Sequence, residues 1–130
     1  MSIQVQGLSV VLLLTADTDR VAAFYHDVLG ISLEAEEHDG RHKHYACALG
    51  SIYFTIQRAA DLGAPAPGRG YDFLQLCFTV ADLDGFMQHL RDCRITPLHP
   101  PLPFEHTRFT TLLDPDGRHV RVMTPWHAGS

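Results

Sequence analysis

Apolar residues recur at helical spacing in two stretches of the chain. The two sets are Val21, Phe24, Tyr25 and Val28 in the first half, and Leu83, Phe86, Met87 and Leu90 in the second. Positions i, i+3, i+4 and i+7 share one side of a helix, so each set predicts an amphipathic helix with one buried stripe. Each stripe follows an Ala-Asp-x-Asp segment, in which Asp17 and Asp82 are suited to cap the helix by accepting backbone N–H groups. Gly30 is a suitable residue to end the first helix.

Strand patterns surround both helices in the same order. In the first half they cover residues 10–15 before the helix and 31–37, 42–49 and 51–57 after it, with Asp39-Gly40 as a hairpin turn. In the second half they cover residues 73–80 before the helix and residues 95–100, 107–113 and 118–123 after it; the segment 95–100 is interrupted by prolines. Asp114-Pro-Asp-Gly predicts the last turn. Residues 62–71 are rich in Gly and Pro and predict a linker, and residues 99–106 predict a loop. The sequence therefore predicts an α+β fold in which strand–helix–strand–strand–strand occurs twice.

Alternation along the strands separates an apolar phase from a mixed phase. The residues predicted to pack under the helices are Phe54, Ile56, Leu74, Leu76, Phe78, Val80, Val120 and Val122. The opposite phase contains Tyr53, Thr55, Gln57, Gln75, Cys77, Thr79, His119, Arg121 and Met123. A few hydrogen-bonding groups among apolar ones is the composition of a small-molecule pocket, although a solvated sheet face is the alternative. The strand 10–15 argues for the pocket, because Val10, Leu12 and Leu14 make its second phase apolar too and predict burial on both faces.

Composition and charge narrow the classes of function. The chain has 130 residues, of which 45% are hydrophobic, and this length suits one compact domain over 1–130. Its net charge of −5 and the lack of a Lys/Arg run argue against nucleic-acid binding. We expect no membrane partner, because no apolar run is long enough to span a bilayer. A secretory leader is not recognisable, and three widely spaced cysteines indicate a reducing, cytoplasmic location.

The two modules resemble the vicinal oxygen chelate superfamily of glyoxalase I, extradiol dioxygenases, and fosfomycin- and bleomycin-resistance proteins. The resemblance rests on "LLLTADTDRVAAFYHDVLGISLE" and on "FTVADLDGF" with "LLDPDGRHVRV". It implies two tandem βαβββ modules, at about 5–60 and 71–126, whose curled mixed sheets enclose a cup-shaped cavity with the helices outside. It also implies a homodimer, which would cover the sheet edges.

The positions of the family's metal ligands are altered in this chain. Metal-dependent members carry a His or similar residue at the start of each module's first strand and a Glu near the end of its last strand. Carried over, these positions are Val10, Thr55, Gln75 and Arg121. Valine has no ligand atom, and arginine is a permanent cation without an acceptor. We therefore expect no metal and no other cofactor; a rebuilt metal site using His44 and His119 is the alternative.

These observations favour a metal-independent small-molecule binding protein of the glyoxalase/bleomycin-resistance type that acts by sequestration. Its ligand would carry an anionic or strongly hydrogen-bond-accepting group, which the planar N–H donors of the Arg121 guanidinium would bind. The candidate ligand-binding residues are Leu12, Tyr53, Thr55, Gln75, Cys77, His119, Arg121 and Met123. Phe104 and Trp126 could close over the ligand or pack at an interface. The sequence assigns no catalytic residue, and a glyoxalase-like lyase or dioxygenase with a rebuilt metal site, or a structural dimer module without a ligand, are the alternatives.

Overall fold

The computed structural model describes residues 3–38, 42–62 and 74–125. The chain divides into two compact units, Met1–Pro67 and Gly68–Ser130, and the boundary lies within the predicted linker. That the whole chain forms one domain stays a prediction. No helix in the described ranges is long and apolar enough to cross a membrane.

The first unit contains a four-stranded mixed sheet and one α-helix in the described ranges. Its elements are β1 Val10–Thr15, α1 Thr18–Asp27, β2 Glu34–His38, β3 His42–Leu49 and β4 Ile52–Arg58, followed by a short 3-10 helix at Ala59–Leu62. The strand order is β1-β4-β3-β2, in which β1 and β4 are parallel and the other pairs antiparallel. The pairing of His38 with His42 confirms the β2–β3 hairpin, although its Asp39-Gly40 turn lies outside the described residues.

The second unit repeats this topology. Its elements are β5 Leu76–Thr79, α2 Leu83–Asp92, β6 Leu102–Phe104, β7 Thr107–Leu113 and β8 His119–Met123. The strand order is β5-β8-β7-β6, with β5 and β8 parallel. The predicted α+β fold of two tandem βαβββ modules with mixed sheets is therefore confirmed, whereas the enclosed cup stays a prediction.

Both helices begin and pack as the sequence predicts. The Asp17 side chain accepts the backbone N–H of Arg20 at 3.1 Å, and Asp82 accepts that of Gly85 at 2.9 Å. The predicted stripe of α1 is buried, and α2 buries Leu83, Phe86 and Leu90 with Met87 half-buried. Gly30 follows α1 at φ +70°, a conformation that glycine adopts without strain.

The helix-facing side of each sheet forms the core of its unit. In the first unit the Tyr25 ring lies 5.5 Å from the Phe54 ring, and Ile56 is fully buried. In the second unit Val120 and Val122 are buried. The predicted assignment of these strand residues to the helix side is confirmed.

Two predictions about the second unit are wrong. Leu74 lies before β5 and is 77% exposed, so it does not pack under α2. Residues 95–100 form no strand. The second strand of this unit is instead β6, in a segment predicted to be a loop. Pro97, Pro100 and Pro101 lack the N–H groups that a ladder needs, whereas β6 lies at the sheet edge, where Pro103 is tolerated.

The prediction that β1 is buried on both faces is also wrong. Leu13 and Thr15 are buried on the side of α1, but Val10 and Leu12 are 49% and 42% exposed. The physical reason is that β1 is an edge strand with β4 as its neighbour, and α1 covers one side of it. The chain therefore carries an exposed apolar strip on the other side of this sheet.

Candidate functional site

Arg121 lies in the middle of β8, on the side of the second sheet that faces away from α2. Its neighbours across the strands are Cys77 on β5 and Thr111 on β7. Arg108, on the other side of β7, reaches Asp84 of α2 at 3.5 Å, which identifies the helix side. We call the side away from α2 the second open face; its strand residues are Cys77, Thr79, Leu102, Phe104, Thr107, Phe109, Thr111, Leu113, His119, Arg121 and Met123.

The Arg121 guanidinium is packed on an aromatic ring and is only partly satisfied. Its Cζ atom lies 4.5 Å from the centre of the Phe109 ring, a cation–π distance. Its Nε atom is buried and has no hydrogen-bond partner. In the described part of the chain Arg121 has no ion pair. Because a buried donor without an acceptor is unfavourable, this position favours an incoming acceptor group.

Phe109 is itself held by two aromatic neighbours. The Phe104 ring lies 6.4 Å and the His99 ring 5.1 Å from it, both edge-on. His99 donates from Nδ1 to the carbonyl oxygen of Pro100 at 2.7 Å, since a carbonyl can only accept. Its Nε2 then accepts the Thr111 hydroxyl at 2.8 Å, which fixes the imidazole. These contacts hold the ring under Arg121.

Sequence reasoning named neither Phe109 nor His99 as site residues. The signal for Phe109 is the Asp114-Pro-Asp-Gly turn, because a hairpin turn fixes the register of the strands that it joins. Counting back from the turn pairs Leu113 with His119 and Thr111 with Arg121. Phe109 lies two residues before Thr111, on the same side of the sheet and opposite Met123. His99 carries no such signal, because it lies outside the strands.

The structure brings half of the predicted ligand-binding residues to the second open face. Cys77, His119, Arg121 and Met123 share it; Cys77 is exposed, and the other three are half-buried. Gln75 lies just before β5 and is half-buried. That these residues contact a ligand stays a prediction.

The other predicted residues lie on the equivalent side of the first sheet. Leu12 pairs with Thr55 as Cys77 pairs with Arg121, so Thr55 and Arg121 occupy equivalent positions. Thr55 is buried, and its hydroxyl donates to the carbonyl oxygen of Tyr45 at 3.1 Å and accepts from Gln57 at 3.3 Å. This hydroxyl is used inside the sheet.

A polar cluster on the first sheet was not predicted as a whole. One carboxylate oxygen of Glu36 accepts from His44 Nε2 at 3.1 Å and from the Tyr53 hydroxyl at 3.2 Å. His44 is buried, whereas Glu36 and Tyr53 are partly exposed. Burial raises the pKa of Tyr53, and the hydrogen bond to Glu36 adds to this effect. Glu36 could have been found from the Asp39-Gly40 turn, because counting outward from that turn pairs it with His44.

An open surface cavity of about 190 Å³ lies on the helix side of the first unit. It is lined by Asp19, Ala22, Ala23, His26, Leu33 and Tyr45. The Asp19 carboxylate accepts the Tyr45 hydroxyl and lies 3.5 Å from Lys43 Nζ. These two contacts lower the pKa of Asp19, so the cavity rim already neutralises its own charge.

The ligand positions of the family do not fit a divalent metal ion in this chain. Arg121 replaces a carboxylate with a guanidinium that packs on Phe109, and a cation beside it would be repelled. Among the residues that the structure describes, no group of three or more His, Cys, Asp or Glu side chains is placed to hold a metal ion. The absence of a metal cofactor stays a prediction.

The chain belongs to the Glyoxalase/Bleomycin resistance protein/Dioxygenase superfamily, because residues 7–122 match the model of that family. The predicted resemblance is thus confirmed. No curated protein sequence matches significantly.

Several solved structures share the fold at low sequence identity. A virulence protein from Salmonella typhimurium has a TM-score of 0.72 at 17% identity, covering 95% of this chain and 100% of its own. Lactoylglutathione lyase from Agrobacterium tumefaciens has a TM-score of 0.69 at 21% identity, and the match covers 96% of this chain and 98% of its own. TnmS3, an antibiotic binding protein from Streptomyces sp. CB03234, has a TM-score of 0.69 at 18% identity, and the match covers 96% of this chain and 100% of its own.

Proposed function

We propose that the protein binds a small molecule with a carboxylate or phosphonate group, without a metal ion, through the second open face. The observation that carries this proposal is Arg121, whose buried Nε has no acceptor while its guanidinium is held on Phe109. A side-on carboxylate would accept from Nε and a terminal nitrogen together, which is the geometry that arginine favours. The strand residues of this face include no Asp or Glu that would compete for the cation.

The chemistry of this face supports holding a ligand rather than converting it. Beside the guanidinium it offers aromatic rings, a thioether and hydroxyl groups, which suit the apolar body of an organic acid. The fold neighbour TnmS3 is an antibiotic binding protein. By analogy, this protein would sequester a toxic acid, in a reducing cytoplasm where Cys47, Cys77 and Cys93 stay free.

We further propose that the protein works as a homodimer. The exposed apolar strip at Val10 and Leu12 and the open sheet edges favour association with a second copy. Light scattering at micromolar concentration should give the mass of a dimer. A monomer at that concentration would contradict this part of the proposal.

Phenylphosphonate and benzoate are suitable probes for the ligand site. Calorimetric titration should show binding of at least one of them, and Arg121→Leu should weaken it about tenfold or more, because a charge-assisted pair of hydrogen bonds is lost. Arg121→Lys should bind with intermediate affinity, because it keeps the charge and loses the fork. The matched control is Arg108→Leu, an exposed arginine on the helix side of the same sheet, which should bind like the wild type.

Two results would contradict the proposal. One is equal loss of affinity in the Arg108 and Arg121 variants, which would indicate nonspecific attraction to positive charge. The other is binding that disappears after chelation and returns with zinc, nickel or manganese. That second result, with lyase or dioxygenase turnover, would favour an enzyme with a rebuilt metal site.

A further inference from the structure

We propose that the helix-side cavity of the first unit is a second binding site, which takes a small neutral aromatic alcohol. By helix-side cavity we mean the space of about 190 Å³ between α1 and the sheet. It is lined by Asp19, Ala22, Ala23, His26, Leu33 and Tyr45. The inference goes beyond the proposed function, because it concerns another unit of the chain and does not depend on the anion site at Arg121.

The sequence of α1 leaves room for this cavity. The lining residues of the helix follow the spacing i, i+3, i+4 and i+7, so they form one stripe along the helix. The central residues of this stripe are Ala22 and Ala23, whose methyl side chains do not fill the space beside the helix. The opposite wall consists of Leu33, which precedes β2, and the Tyr45 ring of β3. Larger side chains at the two alanines would therefore close the cavity.

The volume of the cavity indicates the size of its ligand. A protein cavity of roughly 150 Å³ accommodates one benzene molecule. The helix-side cavity, at about 190 Å³, therefore gives room for one six-membered ring with a small substituent. The side chains of Ala22, Ala23 and Leu33 offer apolar contacts, and the Tyr45 ring offers an aromatic surface on which such a ring can pack. A single aromatic ring thus matches both the size and the walls of the cavity.

The charges at one end of the cavity favour a neutral ligand. The Oδ1 atom of Asp19 accepts the Tyr45 hydroxyl and lies 3.5 Å from Lys43 Nζ. Lys43 Nζ also lies 5.3 Å from the centre of the Tyr45 ring. A cation that approached Asp19 would be repelled by Lys43, and an anion that approached Lys43 would be repelled by Asp19. A neutral ligand meets neither repulsion.

Hydrogen-bond acceptors at both ends of the cavity specify a donor on the ligand. In the part of the chain that the structure describes, the Oδ2 atom of Asp19 has no hydrogen-bond partner. At the other end, His26 Nδ1 lies 2.8 Å from Asp27 Oδ1. Because a carboxylate only accepts, Nδ1 donates to it, and Nε2 of the neutral imidazole is an acceptor. A phenolic hydroxyl group is an uncharged donor for either of these acceptors.

The probe for this site is phenol. Fluorobenzene has a similar shape without a donor, and benzylammonium carries a positive charge. Titrated into isotope-labelled full-length protein, phenol should shift the backbone amide signals of residues 19–26, Leu33 and Tyr45. Fluorobenzene should bind at least about threefold more weakly, because it donates no hydrogen bond. Benzylammonium should not shift these signals at the same concentration, because Lys43 repels it.

Ala23→Leu tests the location of the site. Ala23 is exposed on α1, so leucine fits there without disturbing the core, and its larger side chain fills the cavity. The affinity for phenol should fall about tenfold or more, because the ring loses its apolar contacts. Ala60→Leu is the matched control, because Ala60 is exposed in the 3-10 helix and does not line the cavity. Its affinity for phenol should stay within about twofold of the wild type.

Three results would overturn the proposal. They are an unchanged affinity for phenol in Ala23→Leu, equal binding of fluorobenzene or benzylammonium, and phenol-induced shifts that lie only outside the lining residues. If Ala23→Leu does not fold, His26→Ala decides, because this exposed position tolerates truncation and loss of its acceptor should weaken phenol binding about threefold or more. Arg121→Leu should leave phenol binding unaffected, and Ala23→Leu should leave phenylphosphonate binding unaffected, so the two proposals fail separately.

Discussion

Thr55 and Arg121 stand at equivalent places in two sheets of the same topology, yet their surroundings differ. Thr55 is buried, and its hydroxyl forms hydrogen bonds with Tyr45 and Gln57. Arg121 is half-buried, and its Nε–H donor has no acceptor. Glu34 and Glu36, on the side of the first sheet that faces away from α1, have no counterpart among the strand residues of the second open face. The two sheets therefore share the packing of their helix sides and differ in the polar groups of their other sides.

The hairpin turns before the last strands differ in the same way. Between β3 and β4 the chain turns at Gly50, whose φ is +58°. Between β7 and β8 the buried Asp114 accepts the backbone N–H groups of Asp116 and Arg118 at 2.9 Å and pairs with the Arg118 side chain at 2.9 Å. The second turn is therefore fixed by a buried ion pair.

The largest expected effect is at Asp114. Asp114→Ala should lower the free energy of unfolding by about 3–5 kcal/mol, because it leaves Arg118 buried without its main partner. Urea denaturation of the full chain measures this. Asp116→Ala is the control and should cost about 1 kcal/mol or less, because its carboxylate is partly exposed. Equal costs would show that the ion pair does not distinguish the two turns.

The next effect separates the equivalent positions themselves. Thr55→Val should lower the free energy of unfolding by about 1–2 kcal/mol, because a buried hydroxyl that both donates and accepts is lost. It should leave phenylphosphonate binding unchanged. Arg121→Leu should have the opposite effects: the free energy of unfolding should stay unchanged, and the affinity for phenylphosphonate should fall. Paired denaturation and calorimetry on both variants test the contrast, which fails if either variant changes both quantities alike.

A smaller effect is expected under the guanidinium. Phe109→Leu should weaken phenylphosphonate binding about three- to tenfold, because a cation–π contact that orients Arg121 is lost. Phe104→Leu changes the same aromatic group without touching the guanidinium contact, and its affinity should stay close to that of the wild type. Calorimetry with both variants would contradict this role of Phe109 if the two lost affinity equally.

The smallest effect concerns Tyr53, on the side of the first sheet that faces away from α1. Burial and the hydrogen bond to Glu36 raise the pKa of Tyr53, so the folded state binds its proton more tightly than the unfolded state. Its contribution to stability is therefore present below the unfolded pKa and is lost as the pH rises through the folded pKa. In Glu36→Gln the pKa of Tyr53 should fall towards the usual value. Ultraviolet absorbance titration of this variant, with Tyr53→Phe to assign the signal, measures the shift, and an unchanged pKa would remove Glu36 as a cause.

Periodicity and turn chemistry sufficed for most of the fold. The helical stripes, both Asp caps and the strand–helix–strand–strand–strand order could be predicted because each depends on local spacing. β6 could not, because a proline-rich edge strand carries a loop signature and forms through pairing with β7. The exposure of Val10 and Leu12 could not be predicted either, since an apolar strand pattern does not reveal which of its sides is covered.

The candidate site was predicted in its β8 portion and not in its supporting residues. Arg121 was identifiable from its position after the Asp-Pro-Asp-Gly turn. Phe109 and Glu36 needed the register of a hairpin, and His99 depends on tertiary contacts with Thr111 and Phe109. Side chains that act by supporting others leave no spacing pattern in a single sequence.

The parallel pairing of the first and last strands in each unit has a consequence for biosynthesis. Residues 10–15 leave the ribosome before their ladder partner β4, which ends at Arg58 and must be made before pairing can begin. Throughout that interval a strand of consecutive Val and Leu has no edge to join, and such strands are prone to wrong association. The completion of β4 is therefore the event that ends this exposure of β1 in the nascent first unit.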